Sequence, residues 1–530
     1  MQLEKFEPRT RSKIAVGLAL VIPLGTAMIT PAFASGSGHD VSASIVVKAI
    51  DRNGHRRTLT APATAMSIGS RAHGAEYQSD AHGVIRVPAG SYIVGADIVT
   101  PASGGHQVSE TLIARTVRAA GRVILTLDAR RGHKFSVSLL MSGAQLSVAG
   151  ATLCGRGARE RIPLASAGES AEHIFVAPSR SKDLWFSYGS SWNGASGTLF
   201  NLGGGRVGVP PIPRFAFRPS DLAQLTLAAK AGAMEGTSGA WVAEALDDNH
   251  CPVGLAGGLA SGIPGKVSQF VSRGTWAAQF TIDGIGDDAV QIITKVGARK
   301  HYTTVIGEAV RGPGPAVLPR FLIGLPLTVS LLGLFSDPVG NANECSANVN
   351  VALRAHGRLV KSSRFRGCNG AYFRARLHPG WYNVSIRAVR VAPSAAVPVA
   401  PLSRRIGLSW HFGASRRDLH SVFGVPVSIT RFVPGGLDMR NNAQPGAVTP
   451  IRLTVFRGRP YPAFKIRHVR LEVSVDDGKS WHRARLVGSG GEWVAKVRDP
   501  ASGFISLRST VTDIKGDSTV ETINRAYSVG

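Results

Sequence analysis

Three stretches gather side chains that could do chemistry. Gly236-Thr237-Ser238-Gly239-Ala240 holds a serine among small residues, the setting of a nucleophilic hydroxyl. Such a hydroxyl attacks only when a histidine takes its proton and a carboxylate orients that histidine. Asp247-Asp248-Asn249-His250 and Asp283-Gly284-Ile285-Gly286-Asp287-Asp288 cluster oxygen ligands suited to a hard cation. Neither follows the calcium-loop spacing of alternating carboxylates closed by a distal glutamate, so both read as turns. Gly203-Gly204-Gly205 lacks the lysine and the strand–helix setting of a phosphate loop, and no His-Glu-x-x-His is present. Asn383-Val384-Ser385 has the form of a glycosylation acceptor. No catalytic, cofactor-binding or metal-binding residue is assigned from these stretches.

The cysteines are Cys154, Cys251, Cys345 and Cys368. Their spacing forms no zinc pattern, and an even count in an exported chain implies disulfides. Cys345 and Cys368 flank a strand-turn-strand segment and form the natural local pair. Cys154 and Cys251 are then left for each other. The chain-entropy model gives about 3 kcal/mol for the shorter loop and nearly 5 for the longer.

Export is expected from the N-terminus. Lys5, Arg9, Arg11 and Lys13 precede an apolar run from Ile14 to Thr30, and Ala32-Phe33-Ala34 follows with small residues at the cleavage spacing. Residues 1–34 read as a Sec signal peptide cut near Ala34-Ser35, which makes the product secreted and free of the membrane afterwards. Phe321 to Phe335 is too short for the roughly 20 residues of a spanning helix and contains Pro326, so it reads as a buried strand pair.

The mature chain is long enough for about three to five domains. Lys plus Arg outnumber Asp plus Glu by 61 to 34, a net charge of +27. The excess reads as spread along the chain, a weaker signal than a patch. Outside the cell it disfavours nucleic acid as partner and favours anionic cell-wall polymer or acidic polysaccharide, unless it reflects base composition alone. A low carboxylate count also suits an acidic habitat, because fewer native ion pairs are lost on protonation. Trp185, Trp192, Trp381 and Trp410 are candidates for an aromatic binding face, with core burial the competing expectation.

Short alternating runs punctuated by Gly and Pro predict an all-β chain of tandem Ig-like or prealbumin-like β-sandwich modules. Residues 35–130 form the first. Val84 to Val87, Pro88-Ala89-Gly90 and Tyr92 to Ala96 make a strand, turn and strand, with Tyr92, Val94 and Ala96 on one face and Ile93 on the other. Ala375 to Val384 echoes this pattern downstream. Residues 131–310 are a β-rich central region in which Leu222 to Ala233 reads as a short helix or a strand. The Gly-Pro-Gly-Pro run at 311–318 marks a boundary. Residues 311–425 form a sandwich holding the second disulfide. Residues 426–530 form an Ig-like or fibronectin-like module in which Asp476-Asp477-Gly478-Lys479 is a hairpin turn, expected to fold alone from about residue 428.

Several of these stretches, kept in order, resemble the tail of large secreted subtilisin-like serine proteases of high-GC Gram-positive bacteria. They are Leu127-Asp128-Ala129-Arg130-Arg131, Leu408-Ser409-Trp410-His411-Phe412, Pro434-Gly435-Gly436-Leu437-Asp438, Leu471 to Trp481, Ser506-Leu507-Arg508 with Thr512-Asp513, and Arg525-Ala526-Tyr527. The resemblance covers residues 80–530. In that family these modules follow the protease domain and are not catalytic. The family's His-Gly-Thr-His segment and its Asp-Thr-Gly or Asp-Ser-Gly strand end are missing here, so no catalytic residue carries over. The expectation is a secreted, non-catalytic binding or structural protein without cofactor. The alternative is an accessory subunit, or degenerate relative, that partners a separately encoded protease.

Overall fold

The structure is a computed structural model. It describes residues 43–530 except 69–73, 103–107, 157–160, 169–172, 196, 234–235, 237, 247–250, 252–257, 283–287, 320–325, 339–345, 369, 396, 417–424, 426, 458–465 and 490. The expected signal peptide at 1–34, Thr237, Cys345 and both acid-rich stretches except Asp288 lie outside the described residues. The chain is all-β and built of sandwich modules, as its alternating runs imply. Among the described residues no helix is long and apolar enough to cross a membrane.

Ala43–Ile50 sends Ala43, Ile45, Val47 and Ala49 inward and pairs with Val84–Val87 and Arg122–Asp128. Facing it is a sheet led by Thr64–Ser67, Gly90–Thr100 and Ser109–Ala119. Along Gly90–Thr100, Tyr92, Val94, Ala96 and Ile98 enter the core they share with Ile45 and Ile85. Ile93 enters a second core with Met66, Leu112, Phe186 and Leu202. This sheet is therefore the middle of three layers, apolar on both faces. Gly95 allows a close approach of the layers: a Cβ there would sit 2.6 Å from Leu164 Cβ. His133–Lys134 and Ile174–Val176 join the same sheet, so it continues across the boundary expected at 130/131.

The third layer is a seven-stranded sheet from Arg161–Gly168 to His301–Ile306. Residues 223–229 form a strand in it, not a helix, because Ala223, Leu225 and Leu227 are buried at period two. Its far half packs on the sheet of Ser238–Leu246 and Gly274–Ile282 around Trp241, Trp276 and Phe280. Cys154 and Cys251 form the expected disulfide, with Cα atoms 6.2 Å apart. Cys368 is buried and disulfide-bonded.

A nine-stranded sheet carries the C-terminal half. Ala347–Ala355, Gly380–Arg390 and Arg405–Ala414 back a core containing Trp410 and Phe412, while Ile466–Ser474, Gly503–Asp513 and Ser518–Val529 back another around Leu471, Ile505 and Tyr527. Arg405–Ala414 pairs directly with Ser518–Val529, so the sheet also runs across the boundary expected at 425/426. The 311–318 run is no exposed linker at its start. Arg311, Gly312 and Pro313 are buried, and the Arg431 guanidinium donates to the carbonyls of Gly312 (3.1 Å) and Pro313 (3.2 Å). Gly312 also exchanges backbone hydrogen bonds with Ser336, both at 3.0 Å, so its buried backbone groups are paired.

Candidate functional site

Strand alternation decides what the nine-stranded sheet shows to solvent. Successive side chains point to opposite faces and neighbouring strands lie about 4.8 Å apart, so residues in register form rows across the sheet. One row runs Arg364, Asn350, Arg387, Gly407, Thr522, Arg508, Glu472, Arg483. A neighbouring row holds Arg366, Asn348, Val389, Arg405 and Asn524. On the other side, beyond a row of serines, Arg354, Asn383, His411 and Ser518 line up. The inward residues that alternate with these are mostly apolar, among them Val349, Val351, Val384, Ile386, Leu408 and Trp410, which holds the strands in this orientation.

The outer face is cationic and nearly free of acid. Glu472 pairs with Arg470. Arg354, Arg364, Arg366 and Arg387 form no ion pair with any described carboxylate. Rows along a strand are about 7 Å apart, within one Debye length in physiological salt, so their fields add.

Acidic side chains at the rim are already engaged. Asp476 accepts from the hydroxyls of Ser474 (2.6 Å) and Ser480 (2.5 Å) and from the N–H groups of Lys479 and Ser480, which hold its carboxyl far below the usual range. Asp477 is held low by the Arg525 guanidinium, which donates to both its oxygens at 2.9 and 2.7 Å. Asp517 is pushed up to about 6, by burial first and by Asp513, although the Gly413 N–H donates to it at 2.9 Å.

Two tryptophans mark the face. Trp381 is 43% exposed, sits opposite Gly413 and stacks on His411, with ring centroids 4.8 Å apart. His411 Nδ1 lies 3.0 Å from Asn383 Oδ1. Trp481 is half-buried beneath the Arg508 guanidinium, 4.0 Å from its ring centroid. The other tryptophans singled out from sequence go elsewhere. Trp410 is fully buried and donates to the Ser428 carbonyl; Trp185 and Trp192 are half-buried in Leu184–Asn193.

The remaining candidates do not assemble a site. Ser238 opens a strand in register with Gly262, not a turn at a cleft. Among the described residues no group of three or more His, Cys, Asp and Glu is placed to hold a metal. A shallow depression of 460 Å³ is lined by Lys134, Ser136, Ser138, Arg214, Phe215 and Ala216, without a carboxylate.

Part of the charge is thus gathered on one face, where the sequence alone reads it as spread along the chain. A signal was present: no aspartate or glutamate occurs between Glu344 and Asp418, and the strands that build half of the face come from that stretch.

No family model matches the chain, and no curated protein does. Among solved structures, the Bacillus anthracis TIE protein aligns over 50% of this chain at 9% identity and a TM-score of 0.14. This chain spans 50% of that protein's length. The FN1–FN3 domains of chicken CNTN1 align over 57% of this chain and 96% of theirs, at 9% identity and a TM-score of 0.14. A streptococcal ancillary pilin aligns over 49% and 98%, at 12% identity and 0.12. At these TM-scores the matches assign no function to the chain.

Proposed function

We propose that this chain is an exported, non-catalytic binding protein, and that the outer face of its nine-stranded sheet is where an anionic polymer of the cell envelope or its surroundings lies. The observation that carries the reading is the set of rows through Arg364, Arg387, Arg366 and Arg354, cations on a rigid scaffold with no carboxylate partner among the described residues. A flat array matches an extended polyanion better than a small ligand, which needs a concave site. The buried Cys154–Cys251 bond supports export, since disulfides persist in oxidising compartments. The reading is tested by retention of the full chain on an immobilised acidic polymer as salt rises. Each neutralised anion releases a counterion and contributes about 0.7 to the slope of log affinity against log salt, taking the single-strand value. Replacing Arg354, Arg364 and Arg387 together by serine should lower that slope by about 2. Absence of retention at low salt, or an unchanged slope in the triple variant, refutes the proposal.

A further inference from the structure

We infer that the Trp381 corner is a sugar-ring subsite, so that the polymer this face takes is an acidic polysaccharide, a chain of pyranose rings bearing carboxylates. The inference rests on the anion-binding reading and adds the chemistry of what lies between the charges. Cations alone hold any polyanion. A glycan also presents rings whose C–H hydrogens form an apolar patch, attracted to the electron-rich face of an aromatic, while its hydroxyls and carboxylates reach sideways.

The corner supplies both kinds of partner. The Trp381 indole is oriented before anything binds, because it stacks on His411 with the planes 15° apart. It lies over two glycines at van der Waals distance: a Cβ on Gly413 would stand 3.5 Å from the indole, and one on Gly516 would stand 3.8 Å away. The side chain remains 43% exposed beside Asn383, Ser385 and Arg387 on the same face of its strand, whereas large aromatics are usually buried. Two residues along the strand, Asn383 is flanked in register by Arg354 and His411. An amide and a guanidinium thus stand about one strand spacing apart, roughly 5 Å, beside the position of a stacked ring.

The experiment measures affinity of the full chain for polygalacturonate, which has rings and carboxylates, and for polyphosphate, which has charge without rings. Trp381 lies outside the cores, so Trp381→Ala leaves the fold in place. That variant is expected to lose about tenfold on polygalacturonate and less than about twofold on polyphosphate, with Trp381→Phe recovering most of the loss. Equal loss on both polymers, no loss on polygalacturonate, or wild-type binding to polyphosphate alone overturns the sugar subsite and leaves the cationic face standing. Wild-type failure to bind either polymer overturns the face, and the subsite with it.

Discussion

The strands Gly90–Thr100 and Gly380–Arg390 leave the same kind of corner and then diverge at every second residue. Each follows a proline turn, and each buries a tyrosine whose hydroxyl donates to the carbonyl four residues back, Tyr92 to Pro88 at 2.8 Å and Tyr382 to His378 at 2.9 Å. Their core-facing residues are alike, Tyr92, Val94, Ala96 and Ile98 against Tyr382, Val384, Ile386 and Ala388. Their other faces differ: Ile93, Gly95 and Asp97 in one strand, Asn383, Ser385 and Arg387 in the other. Ile93 is 1% exposed in a second core, whereas Arg387 is exposed. The first strand is therefore a middle layer and the second an outer wall. What a strand's second face carries decides whether another sheet stacks on it or a ligand can reach it.

Exchanging that second face is the most forceful way to break the comparison. Ile93→Asn removes apolar contacts and buries an amide against Met66 and Leu112, and should cost about 3–5 kcal/mol. Asn383→Ile at the matching position should change stability by no more than about 0.5 kcal/mol, because its side chain lies on the outer face. Thermal unfolding of the two full-length variants measures the difference. Equal costs would mean that the outer wall is covered after all.

How much of this was legible differs between the two strands. The split of Tyr92, Val94 and Ala96 from Ile93 follows from strand alternation alone, and the structure keeps it. That a sheet from residues beyond 145 covers Ile93 was not legible, since a nearly continuous apolar run does not say what lies on either side. In Gly380–Arg390 the polar alternation is plain, but the cationic face is assembled from strands whose register is set by tertiary pairing. Each strand contributes only one or two arginines to it. Trp381 and Trp410 looked equivalent as types. Register separates them: Trp410 pairs with inward Val384, and Trp381 pairs with outward Gly413. Nor can composition show that the start of the Gly-Pro-Gly-Pro run is buried, with the Arg431 guanidinium donating to the carbonyls of Gly312 and Pro313.

A second test sharpens the comparison through pH. Asp97 is pushed up to about 7, by burial first and by neighbouring Glu110, while Arg387 at the matching position stands in solvent. Between the unfolded value near 4 and about 7, the folded chain holds a proton on Asp97 that the unfolded chain has lost. Stability from this group is therefore greatest at low pH and falls as pH rises through that window. Its size is on the order of 2 kcal/mol after allowance for partial exposure. Asp517, pushed up to about 6, and Glu521, pushed up to about 8, act with the same sign. The melting temperature should rise as pH is lowered from 8 to 5, and Asp97→Asn should reduce that rise. An unchanged rise in the variant would remove Asp97 from the account.

The smallest expected effect concerns the corners themselves. Tyr92 makes one hydrogen bond with its hydroxyl, to the Pro88 carbonyl. Tyr382 makes two, donating to the His378 carbonyl and accepting its N–H at 3.0 Å. Counting bonds alone ranks Tyr382→Phe as the costlier change. Exposure argues the other way. His378 is exposed, so water takes over both of its backbone groups when the hydroxyl is gone, whereas Pro88 is partly buried. An unsatisfied buried group costs more than an exchanged bond, which is worth about 1 kcal/mol. Tyr92 also meets Tyr77 edge to face, with ring centroids 5.8 Å apart, a contact that phenylalanine keeps. Tyr92→Phe should therefore cost about 1 kcal/mol and Tyr382→Phe no more than that, measured by urea unfolding of the full chain. A larger loss for Tyr382→Phe would show that its corner is drier than the exposure of His378 implies, and would weaken the picture of that strand as an open wall.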